Sequence, residues 1–272
     1  MQWLETMKKA YLLIVCVALF CSLLVLQLLR AANTPNTLHA TVEKAIDFIE
    51  DTNEPHALLW LDVMHRRFGI TAFANALRRY DLELAHRPDE APLLRIFRRI
   101  ADYENQLQTE DLKSVLAETD GITVPALYCD RIEFPDDYSS KLVNSAAQGG
   151  YKLTHVLLAL IWTQENNCSV PLPLSYVDQL YLANAALIDD DSVVTDLELE
   201  AAAFLYLSGR GSLVNEDFVN RVIMAQNDDG GWSLSSEDHG NSYWHSTIVG
   251  LLLLLHLEYP AQSYEPTISS KS

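Results

Sequence analysis

The chain is short of cysteine, glycine, proline and positive charge, and each shortage removes a class of protein. Four cysteines occur in 272 residues, and Cys16 and Cys21 fall in an apolar N-terminal run, which leaves Cys129 and Cys168 for the body. Two cysteines build neither a disulfide framework nor a Cys-x-x-Cys metal knuckle. One bridge between them requires an oxidising compartment and a proximity that spacing does not define. Ten Gly and ten Pro are few for this length. Long β-branched alternation is scarce, while Leu and Ala dominate, which favours helices over strands. G-x-S-x-G, a phosphate loop, H-E-x-x-H and G-x-G-x-x-G are all missing, so no complete catalytic signature names a reaction.

Positive charge is the sharpest shortage. The formal charge is −18, and residues 1–30 hold Glu5 against Lys8, Lys9 and Arg30, a net +2, so the rest carries −20. Such a surface repels phosphate backbones and excludes nucleic acid as the expected partner. It equally disfavours docking on anionic headgroups. What is present is apolar: 49% of residues suffice for a sizeable core and remove the disordered class.

Residues 10–29 read AYLLIVCVALFCSLLVLQLL, without a charge. A helix needs about 20 such residues to span a bilayer core. A cleaved signal peptide usually has an apolar region of ~7–15 residues and a small-residue cleavage site. This run is longer, and Leu29-Arg30-Ala31-Ala32 is a poor site. Lys8 and Lys9 precede the run, which by the positive-inside tendency keeps the N-terminus cytoplasmic. The expected organisation is a cytoplasmic 1–9, a transmembrane signal anchor over 10–29, a linker over 30–38, an all-helical extracytoplasmic domain over 39–260 and a disordered tail over 261–272.

The helical period is clear in 56–67, 92–103, 151–163, 174–187, 195–208, 215–226 and 242–257. Weaker candidates fill 40–51, 71–84, 109–117, 121–131 and 138–147. Pro55, Pro92, Pro171 and Pro173 stand at or before helix starts, where a missing N–H costs nothing. Thr195 with Glu198 three residues later forms a capping box, and Gly209 ends that helix. Arg95, Arg98 and Arg99 read as an exposed helical stripe that pairs with nearby acids. About twelve short helices with short loops predict antiparallel αα-hairpins, stacked or closed into a ring.

Gln226-Asn-Asp-Asp-Gly-Gly-Trp-Ser233 resembles the Q-x-x-x-G-x-W turn of the αα-toroid proteins, such as squalene–hopene cyclases and protein prenyltransferase β-subunits. The resemblance implies an αα-toroid-like fold in which this turn joins an outer helix to an inner one. Gln226 would bond helix ends, Gly230 and Gly231 would supply the tight turn, and Trp232 would plug the gap between helices. Tyr243-Trp244-His245-Ser246-Thr247 is similar to the prenyltransferase helix start whose His binds zinc, which implies His245 at the inner mouth of a barrel. The matching Asp-x-Cys pair is absent, since Asp196-Leu197-Glu198 stands there. Asp189-Asp190-Asp191-Ser192 departs from the cyclase D-x-D-D spacing. The resemblance therefore implies fold rather than chemistry.

Asp196 and Glu200 are four apart and share a helix face. His155 interrupts the apolar helix 151–163, and His245 opens the closing helix. Brought together, the two imidazoles and two carboxylates suit a divalent metal or acid–base work. Taken separately, Asp196 complements a helix dipole, Glu200 faces water and His155 is a core residue. Two function classes follow. One is a membrane-anchored binding or assembly module using a concave face, for a protein, glycan or lipid ligand. The other is an extracytoplasmic enzyme with His155, Asp196, Glu200 and His245 in a central pocket.

Overall fold

The computed structural model describes residues 37–169, 172–237 and 241–270. Among these residues every regular element is helical, and β pairing is limited to two isolated antiparallel bridges, Thr195 with Ser235 and Trp232 with Tyr243. The expected anchor at 10–29 lies outside the described residues. Among the described ones no helix is long and apolar enough to cross a membrane. The chain divides into two compact units, Met1–Thr41 and Val42–Ser272.

The helices are α1 (37–49), α2 (Pro55–Phe68), α3 (Ala76–His86), α4 (Ala91–Phe97), α5 (Glu118–Leu127), α6 (Tyr138–Gln148), α7 (Gly150–Glu165), α8 (Leu174–Ala185), α9 (Asp196–Leu207), α10 (Glu216–Met224) and α11 (Trp244–Glu258). Six of the seven strongly periodic segments appear within a few residues of their expected bounds. The seventh differs, as does one of the weaker candidates. The helix expected over 92–103 breaks after Phe97 into a 3-10 turn at Arg98–Ile100, and 109–117 holds only the 3-10 turn Asp111–Ser114.

Helices α7, α9 and α11 are apolar on nearly all sides, which in a globular protein marks helices enclosed by others. In α11 every residue from Ser246 to His256 is buried. Packing runs α5 on α7, α7 on α9, α9 on α11 and α11 on α2. Helices α3, α6 and α10 bury one face each; in α10 that face is Phe218 and Val222. Gly149 and Gly150, with φ of 69° and 55°, make the sharp turn from α6 into α7.

The turn from α10 to α11 shows why its sequence is glycine-rich. Gly230 has φ of 98°, and a Cβ there would stand 2.2 Å from the Lys44 carbonyl of α1. Gln226 Nε2 donates to the Gly230 carbonyl at 2.8 Å. Trp232 is 1% exposed and donates from Nε1 to the Val222 carbonyl at 2.8 Å. Its ring packs on Gly250, where a Cβ would come within 3.1 Å.

Three expectations need correction or completion. The arginine stripe holds in part: Arg95 is exposed, and Arg95 and Arg98 pair with Asp111 and Asp81, but Arg99 is only 1% exposed. Its guanidinium is drawn inward by the Asp130 carboxylate, Asn166 Oδ1 and the Ser269 carbonyl. The tail is not disordered over its described part, because Thr267 and Ile268 are buried and their amides are bonded to Glu165. Cys129 and Cys168 are joined as a disulfide that ties the end of α5 to the loop after α7.

Candidate functional site

The site begins with a helix cap. Thr195 Oγ1 accepts from the Glu198 amide and Glu198 Oε2 accepts from the Thr195 amide, so the capping box is closed in both directions. Such a cap stabilises a helix start by about 1 kcal/mol. It places Asp196 in the first turn of α9 and Glu200 one turn on, facing the same way. Both are buried, at 4% and 1% exposure.

The structure brings the four candidate residues into one network. His245, at the start of α11, sets Nδ1 at 2.8 Å from Asp196 Oδ1 and Nε2 at 3.1 Å from Glu200 Oε2. His155, on α7, sets Nδ1 at 2.8 Å from the Tyr151 carbonyl, to which it donates, and 3.4 Å from Glu200 Oε1. Three hydroxyls supply further donors. Ser246 Oγ reaches Asp196 Oδ1 at 2.6 Å, Tyr151 Oη reaches Asp196 Oδ2 at 2.7 Å, and Thr154 Oγ1 donates to Glu200 Oε1. Helices α7, α9 and α11 are thus tied by polar groups in the middle of their apolar contact.

Such a cluster survives burial only if its charges compensate. Burial works against His245 as a cation, but the hydrogen bonds it donates to Asp196 and Glu200 outweigh that and hold it up at about 10. Burial likewise works against Glu200 as an anion, and the bonds to His155 and His245 overcome it, bringing the carboxyl down to about 2. Asp196 is lowered and His155 raised in the same way: burial opposes the charge, and the His245 and Glu200 partners respectively prevail. Two carboxylates face the His245 imidazolium and the His155 ring.

This arrangement bears on the metal expectation. Both nitrogens of His245 point at carboxylates, so the ring occupies the place where a cation would sit. Among the described residues no group of three His, Cys, Asp or Glu side chains is placed to hold a metal ion. The charge that the carboxylates demand is supplied by imidazolium.

One face of the network opens on a cavity of about 180 Å³. His155 and His245 line it, with Trp60 of α2, Trp162 of α7 and Trp244 of α11 as aromatic walls and Phe97 beside them. His56 and Asp120 add polar groups to its rim. Burial raises the Asp120 carboxyl, and the nearby His56 and His155 only partly offset it. Sequence reasoning missed His56, Asp120 and the tryptophan walls. Each is a single residue in an ordinary helix, and nothing in its local pattern separates it from a packing residue. No family model, no curated protein and no solved structure matches the chain.

Proposed function

We propose that the chain is a single-pass membrane protein with a cytoplasmic N-terminus, whose extracytoplasmic helical domain closes in toroid-like fashion and binds one sugar residue of a glycan in the cavity between α2, α5, α7 and α11. The observation that carries the reading is the lining itself: three indoles and Phe97 set against Asp120, His56 and His155. Flat aromatic walls suit a ligand with an apolar face, and a few convergent polar groups suit its hydroxyls. The hydrogen-bonded network behind the wall fixes His155 and His245 in place. The N-terminal apolar run supports the anchor, and the Cys129–Cys168 bridge supports an oxidising compartment outside the cytoplasm.

The test is calorimetric titration of the body, residues 31–272, with a panel of neutral mono- and oligosaccharides. Binding is expected to saturate, and Trp244→Ala and Asp120→Asn should each weaken it at least about tenfold, or ~1.4 kcal/mol. No saturable binding across the panel, or binding indifferent to both variants, would reject the reading.

A second reading, an extracytoplasmic enzyme acting on the bound glycan, is favoured by one observation. The raised Asp120 carboxyl stands beside two imidazoles in a cleft, which is the setting of a general acid. Chromatography of oligosaccharides incubated with the protein decides it: shortened products that vanish with Asp120→Asn support an enzyme, and intact substrate returns the domain to the binding class.

A further inference from the structure

Segment Tyr264–Ser269 has no helix of its own, yet its contacts are those of a bound ligand. Arg66 donates to the Pro266 and Thr267 carbonyls at 3.2 and 2.8 Å. Arg67 donates to the Glu265 carbonyl and lies over the Tyr264 ring at 4.6 Å. Buried Arg99 donates to the Ser269 carbonyl, while the Ser269 amide donates to the Ile100 carbonyl at 2.8 Å. A single carboxylate, Glu165, accepts from two consecutive amides, Thr267 at 2.8 Å and Ile268 at 3.0 Å. The groove therefore reads the extended backbone from both its donor and acceptor sides, as peptide-recognition grooves do.

It also reads sequence at one position. The Thr267 hydroxyl donates to Glu165 Oε2 at 2.6 Å and accepts from Trp162 Nε1 at 3.1 Å. Both capacities of that hydroxyl are used at a residue with 0% exposure. Replacing it by a methyl would leave a buried indole N–H and a carboxylate oxygen without this partner. Ile268, 3% exposed, adds an apolar anchor. By contrast the connection Tyr259–Ser263 is exposed throughout and bonds the Tyr264 hydroxyl through the Ala261 amide and the Tyr259 carbonyl, while residues 265–269 are fastened by the groove.

We propose that Arg66, Arg67, Arg99, Trp162 and Glu165 form a peptide-binding groove, adjoining the saccharide cavity, that accepts an extended Glu-Pro-Thr-Ile-Ser segment, and that residues 264–269 fill it as a displaceable ligand in cis. The groove shares Trp162 and Ile100 with the cavity wall, but it binds whether or not the cavity takes a sugar. Its ligand class is an extended peptide with a threonine followed by an aliphatic residue.

The probe is the capped peptide Tyr-Glu-Pro-Thr-Ile-Ser, added to the full chain, with the same peptide carrying Val for Thr as control. Amide exchange of Thr267 and Ile268 is expected to quicken several-fold as the peptide saturates, while the amides of α11 stay unchanged; the control peptide should do nothing. The full-length Thr267→Val variant, whose own segment is loosened, should bind the probe at least tenfold more tightly than the wild type does. If that variant fails to fold, the wild-type exchange measurement decides alone. Thr267 and Ile268 amides that exchange only with global unfolding and ignore the probe would overturn the proposal. So would a folded Thr267→Val variant that binds the probe no tighter than wild type.

Discussion

His245 Nε2 lies 3.1 Å from Glu200 Oε2, one turn of α9 beyond the Asp196 carboxylate that His245 Nδ1 and Ser246 also bond. Glu200 is 1% exposed, so water offers that carboxylate little, and His155 and His245 together compensate it. His245→Ala would remove the one ring that bonds both Glu200 and Asp196. Removing one partner of a buried ion pair costs about 3–5 kcal/mol, and denaturant unfolding should show a loss of that size. A loss under about 1 kcal/mol would mean that the carboxylates have other compensation and that the network is not closed through His245.

The same groups set how stability follows pH. His245 is held at about 10, above its ordinary 6.5, so its contribution is complete below pH 6.5 and is lost as pH climbs toward 10. Glu200 is brought down to about 2 from 4.5, so its contribution is complete above pH 4.5 and is lost as pH falls toward 2. His256 acts in the opposite sense to His245. Burial drives it down to about 4, so its neutral state favours the fold above pH 6.5 and charging of the unfolded chain erodes stability between 6.5 and 4. The three together place the maximum near pH 6.5. Chemical denaturation across pH 3–10 should trace that peak, and the alkaline decline should vanish in His245→Ala. Stability that rises from pH 6.5 to 9 in the wild type would contradict the assignment.

Among the described residues Trp232 is the largest wholly buried side chain, and its indole N–H is bonded to α10 while its ring fills the notch at Gly250 of α11. Trp232→Ala should cost about 3–5 kcal/mol. Trp244, half-buried at the cavity mouth, should cost far less when truncated. Equal costs for the two variants in thermal or denaturant melts would deny Trp232 its role as the plug between α10 and α11.

The Cys129–Cys168 bridge closes a loop of sequence separation 39. In the chain-entropy account a loop of that size stabilises by about 4 kcal/mol. Unfolding with and without a reductant should separate by an amount of that order, and Cys168→Ser should reproduce the reduced protein. Identical transitions in both conditions would show that the bridge does not form in the folded protein.

Residues close in sequence made part of this legible beforehand. The cap at Thr195 and the shared face of Asp196 and Glu200 are set by a helical turn, and they stand as the spacing predicts. The buried helices α7, α9 and α11 announce themselves by apolar residues on every side. The tight turn at Gly230 and Gly231 was also readable, because its backbone conformation and close approach admit little but glycine. What no window of sequence contained was the meeting of His155 and His245 with those carboxylates, across separations of 45 and more residues. The burial of Arg99, the union of Cys129 with Cys168 and the docking of Thr267 against Glu165 were equally hidden. A helix's face is written in a local period, but which faces meet is decided by the summed packing of the whole core. A lone His, Asp or Arg acquires its role only from the groups that packing brings within 3 to 4 Å, where charges and hydrogen bonds act strongly enough to hold it.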